Sequence, residues 1–366
     1  MEKDFRANKP QSHAEMEVQR DMELDPIVKE KMKKNLVYVT IFSIIMLFMA
    51  FTSAYIVSSG DSYWVAYPMP MAFWISTVLI LLSSITLILA VKAAKKNNQA
   101  MLKGLISVTA LLGIGFAVYQ FKGYSQLVEK GAYFRSSLIV SEGRYGDYYE
   151  IKYNGTFLGV DGNNYTLNGK PLTKSQEMEL VNFAKSVNKA SNLKPLKVSS
   201  FGKNIALVYK GNPVQLKDGK LMFSDTNEMQ YVDLLRLQDL AVHMQDRRID
   251  FFLDGKCGKD FHLYFKGKEL QYVNRELLYN GKKLAYAMQT KLNSSSDQAT
   301  SYLYIITFIH LLHVIAGIIY LFRLVLWSFN GRFSSTNTLS LRLGGIFWHF
   351  LGILWIYLLL FLLFIH

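Results

Sequence analysis

Five stretches of the chain run for about twenty residues or more with few polar positions and no acidic one: Leu36 to Ser58, Ala72 to Ala94, Leu102 to Phe121, Tyr302 to Leu326 and Leu343 to Ile365. Each approaches or exceeds the roughly 20 residues of helix that a hydrocarbon core requires. None shows the polar face of a helix half-buried in a soluble core. Five transmembrane helices are predicted. Between the third and the fourth the pattern changes to short alternating runs around Asn-Gly and Lys-Gly pairs. These read Tyr153-Asn154-Gly155 leading to Leu167-Asn168-Gly169-Lys170, Tyr209-Lys210-Gly211 leading to Lys220-Leu221-Met222, and Phe265-Lys266-Gly267 leading to Tyr279-Asn280-Gly281-Lys282. Such dipeptides adopt the positive φ angles of tight hairpin turns, so three related hairpin units are expected. Capping patterns mark two helices among them: Thr173 with Gln176 before Met178, Leu180, Val181 and Phe183, and Asp225 with Glu228 before Met229, Val232, Leu234, Leu235 and Leu240.

Charge sets the orientation. Lys29, Lys31, Lys33 and Lys34 precede the first span, Lys92, Lys95, Lys96 and Lys103 lie between the second and third, and Arg323, Arg332 and Arg342 between the fourth and fifth. The loop from Ser59 to Pro70 has no basic residue. The positive-inside rule then places the N-terminus in the cytoplasm, with residues 122–300 and the C-terminus outside. The expected organisation is a cytoplasmic tail over 1–35, helices 1–3 over 36–121, an extracytoplasmic α+β insert over 122–300 and helices 4–5 over 301–366, in a mainly α five-helix membrane protein. With 51% hydrophobic and 19% charged residues, the composition disfavours a purely soluble enzyme. The net charge of +13 divides between span flanks and the insert, which carries 26 basic against 19 acidic residues. That is a membrane-orientation pattern, and no nucleic-acid partner is expected. Acids and bases mix through the first 30 or so residues, so no cleavable signal peptide is expected and the first helix would act as its own targeting signal.

Candidate chemistry is sparse. One cysteine, Cys257, excludes a disulfide framework and an all-cysteine metal site. The insert shows no metal cluster, nucleophile elbow or phosphate loop, and its His243 and His262 read as solvated or structural. The spans hold no Asp or Glu, which argues against proton translocation by this chain alone. They do hold His310 and His313, on one helix face, and His349. A shared haem is disfavoured, because at 1.5 Å per residue His349 lies about 8 Å from the cytoplasmic edge and His310 about 18 Å. Imidazoles bonded across helices or to a partner are the simpler reading. Gly113, Gly115, Gly317, Gly344, Gly345 and Gly352 permit close helix approach, and Tyr55, Tyr63, Trp64, Trp74 and Trp327 read as interfacial anchors.

The run His310-Leu-Leu-His313-Val-Ile-Ala-Gly317, followed by Trp348-His349-Phe350 and Trp355, resembles subunit III of the haem-copper cytochrome c oxidases. Ser43 to Tyr55, Ser76-Thr77 with Ser83-Ser84-Ile85-Thr86, and Leu111 to Phe116 with Gln120 and Tyr124 resemble that family's other core helices in order. The form is similar to bacterial versions with five spans; the large insert lies outside the general pattern. Ile44, Gly123 and Gly352 stand where the family carries carboxylates, which bears against a proton-antenna role. The resemblance implies a non-catalytic subunit in the bacterial inner membrane, with no metal or cofactor of its own, beside subunits I and II that hold the haems and copper. It implies packing or subunit contact for Gln120, His310, His313, Gly317, Trp348, His349 and Phe350, and bound phospholipid, with Arg323 and Arg332 as candidate headgroup contacts. The insert is expected to brace a cytochrome c domain or a neighbouring respiratory complex. Accessory subunits of a quinol oxidase or a nitric oxide reductase, a membrane receptor with an external ligand-binding domain, and a haem-carrying anchor are the alternatives.

Overall fold

An apolar run without water around it satisfies its backbone groups most simply by folding on itself as a helix. The computed structural model describes residues 26–60, 62–134, 139–140, 144–146, 148–161, 164–188, 204–218, 220–224, 227–246, 252–253, 256–274, 276–294 and 297–365. Its helices are α1 (Pro26–Ser59), α2 (Met71–Lys95), α3 (Gln99–Glu129), α4 (Lys174–Asn188), α5 (Tyr231–Gln245), α6 (Tyr286–Ser294), α7 (Gln298–Phe329) and α8 (Leu339–Phe364). Among them α1, α2, α3, α7 and α8 are long and apolar enough to cross a bilayer, so the chain reads as a multi-pass membrane protein. Helix α3 continues about two turns past Phe121.

The turn between α2 and α3 is tight: Asn97 takes a φ of 56° and the Asn98 side chain caps α3 by accepting from the Met101 amide at 3.1 Å. Helices α2 and α3 form the closest pair in the bundle, α7 packs on α3 and α8, and α8 returns against α2. Helix α1 touches α7 and α8 but turns Leu36, Val39, Phe42, Met46 and Met49 outward.

The inserted segment repeats one plan three times, three antiparallel pairings of successive strands followed by a helix, ending in α4, α5 and α6. Five of the hairpin turns have both central residues at positive φ: Asn154-Gly155, Asn168-Gly169, Lys210-Gly211, Lys266-Gly267 and Asn280-Gly281. This is the I′ geometry that matches strand twist. A recurring long-range amide bond follows four of them, from Leu172 to Tyr165, Val214 to Leu207, Leu270 to Leu263 and Leu284 to Leu277. The first strands of units one and two, Glu150–Tyr153 and Ile205–Tyr209, pair antiparallel inside a six-stranded sheet. In unit three the equivalent strand, His262–Phe265, pairs instead with Tyr63–Ala66 from the loop between α1 and α2.

That exchange divides the apolar contacts. Units one and two share a core of Tyr149, Ile151, Leu158, Leu180, Leu207, Leu237 and Leu240. Unit three contributes Leu263, Phe265, Leu270 and Leu277 to the core of the helix bundle.

Two expectations change. The second insert helix starts at Tyr231, not after Asp225: Glu228 sits in a strand paired with Met222, and the Gln230 amide donates to Asp233 Oδ2 at 3.0 Å at the helix start. Asp225 lies outside the described residues. Tyr55, Tyr63 and Trp64 are not surface anchors but buried, because the Tyr63–Ala66 strand is covered by unit three. The Thr173 and Gln176 cap forms, with the Thr173 amide donating to Gln176 Oε1 at 2.9 Å.

Candidate functional site

Two tryptophans seven residues apart on α8 organise the bundle. Trp348 Nε1 donates to Ser83 Oγ and Trp355 Nε1 to Thr77 Oγ1, each at 2.9 Å, fixing α8 to α2. The Trp348 indole fills the space left by two glycines on other helices. A Cβ at Gly113 would come within 2.8 Å of the ring, and one at Gly317 within 3.2 Å. Larger side chains at either position would force the helices apart.

His310 is fully buried in the next layer. Its ring stacks on Trp355 with centroids 5.5 Å apart and meets the edges of Phe48 and Phe116 at 6.3 and 6.1 Å. Neither of its nitrogens has a hydrogen-bond partner. His313, half-buried, donates from Nδ1 to the Ile309 carbonyl at 2.7 Å and lies 5.9 Å from Phe48. Gln120 Nε2 donates to Ser76 Oγ at 3.0 Å, joining α3 to α2, while its Oε1 is unpaired. Tyr124 donates to Thr307 Oγ1 at 3.2 Å, joining α3 to α7.

Gln120, His310, Gly317 and Trp348 therefore belong to one buried assembly, with Trp355, Phe48 and Phe116 as further members. His349 and Phe350 lie at its half-buried margin, Phe350 against Phe347 at 6.5 Å. Arg323 and Arg332 are exposed and converge on Trp327, at 4.6 and 5.7 Å from its ring. Among the described residues no group of three or more His, Cys, Asp or Glu side chains is placed to hold a metal ion. At Gly123 a Cβ would run into the Phe73 ring, so α2 and α3 approach closely there.

A groove of about 310 Å³ opens between α1, α7 and α8, lined by Lys33, Leu36, Val37, Ala316, Tyr320, Leu343, Gly344 and Phe347. Its walls are apolar and Lys33 supplies a positive charge. Nearby on the same end of the bundle, Glu30 is held by Lys34 at 2.8 Å and Arg342 at 3.6 Å. Sequence reasoning missed this groove, because its wall comes from three helices distant in the chain.

At the opposite end, Asp297 caps α7 and is fully buried; its Oδ1 accepts from the Thr300 amide at 3.1 Å and its Oδ2 is unpaired. Burial pushes its carboxyl up to about 6, against the lowering effect of hydrogen bonds from Thr300 and the Ala299 amide. No protein-family model and no curated protein matches the chain.

Proposed function

We propose that the chain is a non-catalytic subunit III of a haem-copper terminal oxidase, set beside the subunit that holds the haems and copper. The observation that carries the role is the fate of the motif residues. Gln120, His310, Gly317 and Trp348 are spent on helix-to-helix packing, with indole donors paired to hydroxyls and glycine gaps filled by a ring. Such an assembly makes a stiff scaffold, and its aromatic rings enclose the buried imidazole from several sides. The family assignment rests on the ordered sequence motifs, and the scaffold role on this packing.

On this reading the N-terminus faces the cytoplasm, the hairpin units stand outside, and the outward apolar face of α1 borders lipid or the catalytic subunit. The groove beside Lys33 is the best place for a phospholipid, with acyl chain against Leu36, Val37 and Phe347 and anionic headgroup at the lysine. Arg323 and Arg332, both exposed, add headgroup contacts. Units one and two, with a core of their own, are the part free to brace a cytochrome c domain or a neighbouring respiratory complex.

Gentle extraction of the tagged chain, with the co-purifying chains identified by mass spectrometry, tests the assignment. Oxidase subunits I and II are expected in stoichiometric amount, and a subunit II copper motif would separate a cytochrome c oxidase from a quinol oxidase or nitric oxide reductase. A chain that purifies alone would overturn the reading and favour a receptor.

A further inference from the structure

Two hairpin turns of unit three lie together, and unit two joins the same hairpin through an ion pair. Phe265 and Tyr279, the residues just before the Lys266-Gly267 and Asn280-Gly281 turns, have ring centroids 5.7 Å apart, so the two turns lie side by side. Glu276 then ties in the tip of unit two: its carboxylate is 3.6 Å from Lys210 Nζ and 2.6 Å from Lys283 Nζ. Lys266, Lys268, Lys282 and Lys283 thus lie on adjoining hairpins, Lys210 joins them through Glu276, and all five are exposed. Glu276 is the acid paired to this group, while the neighbouring Glu269 is taken by His262 at 2.6 Å. Like charges at this density repel one another. A negatively charged surface would relieve that repulsion.

The position of the cluster says which surface. Phe265 stacks on Tyr63 at 4.5 Å, and Tyr63 hydrogen-bonds to the Met288 carbonyl at 3.0 Å. Tyr63 follows the end of α1 at Ser59 by four residues. The tips therefore hang beside the end of the span that has the most outward-facing apolar surface. Basic residues within a Debye length of an anionic leaflet are attracted to its headgroups, and lysine stems reach along the interface while the ammonium stays among headgroups.

We propose that the tips bearing Lys210, Lys266, Lys268, Lys282 and Lys283 form a docking surface for anionic phospholipid headgroups of the leaflet next to the inserted segment. The inference rests on the transmembrane reading of α1 but not on the oxidase assignment. It gives unit three a task distinct from bracing: it seats the base of the inserted segment on the bilayer.

Hydrogen exchange of the full chain in nanodiscs tests it, comparing phosphatidylcholine alone with a mixture containing phosphatidylglycerol. With anionic lipid, peptides covering 263–270 and 277–284 are expected to exchange several-fold more slowly, while 165–172 of unit one is unchanged. High salt should erase the difference, since the screening length shrinks to about 3 Å at 1 M. The charge reversal K266E/K282E should abolish the slowing and the conservative pair K266R/K282R should keep it. Equal exchange in both lipids would overturn the proposal, as would slowing that arises only when other protein chains co-purify, which would mark an acidic partner instead. The wild-type comparison needs no variant to fold, and failure of the oxidase assignment would leave its outcome unaltered.

Discussion

His310 shows how a single residue's role depends on neighbours drawn from several helices. Its spacing from His313 is legible in the sequence, but its cage is not, because Phe48, Phe116 and Trp355 come from α1, α3 and α8. With both nitrogens unpaired, the imidazole acts as a ring that fills space. His310→Phe should therefore change stability by no more than about 1 kcal/mol. His310→Ala leaves a cavity and should cost about 2–4 kcal/mol. Thermal denaturation of the solubilised protein measures both, and a large loss in the phenylalanine variant would show that the nitrogens matter. Gly123 teaches the same lesson. The sequence shows the glycine, whereas what requires it, the Phe73 ring packed on the backbone, is a contact between α2 and α3.

Elements with a local signal were the most legible. The five long helices follow from apolar runs, and the hairpins from Asn-Gly and Lys-Gly pairs, in which glycine, and asparagine where present, tolerates the positive φ. The Tyr63–Ala66 strand was legible as an apolar aromatic run but not as a strand of this sheet, since its partner His262–Phe265 lies about two hundred residues away. Beside a span end, aromatic residues read first as membrane anchors. Tyr63→Ala removes the stack on Phe265 and the bond to Met288. Limited proteolysis should then cut 256–294 faster while 150–188 keeps its resistance; equal rates throughout would deny that this strand holds unit three to the bundle.

The cap of α7 carries a pH dependence of defined sign. Asp297 moves from 3.8 to about 6 because burial disfavours its charged form. A carboxyl raised in the folded state contributes stability that is full below the unfolded pKa and lost as pH rises through the folded one. Between about pH 4 and 6 the protein should thus lose on the order of 2 kcal/mol from this group. Asp297→Asn, which still caps the helix, should flatten that part of the curve. Melting temperatures at pH 5 and 7 for both proteins decide it, and an unchanged slope in the variant would remove Asp297 as the cause.

For the whole molecule, the sequence orders the parts but does not divide the inserted segment between two cores, because burial is set by contacts far apart in the chain. Units one and two pack on themselves and unit three on the helices. The groove beside Lys33 is likewise a product of assembly. Lys33→Glu should reduce retained anionic phospholipid several-fold by native mass spectrometry, leaving neutral lipid unaffected; full retention would place the lipid elsewhere. The central claim is that this chain supports a haem-copper centre carried by a partner. A reduced-minus-oxidised spectrum, taken on the gently extracted complex and again on the chain after stripping its partners, tests it most directly. Haem absorbance in the complex that departs entirely with the partner subunits is the predicted result, and haem retained by the isolated chain, or none in the complex, would contradict it.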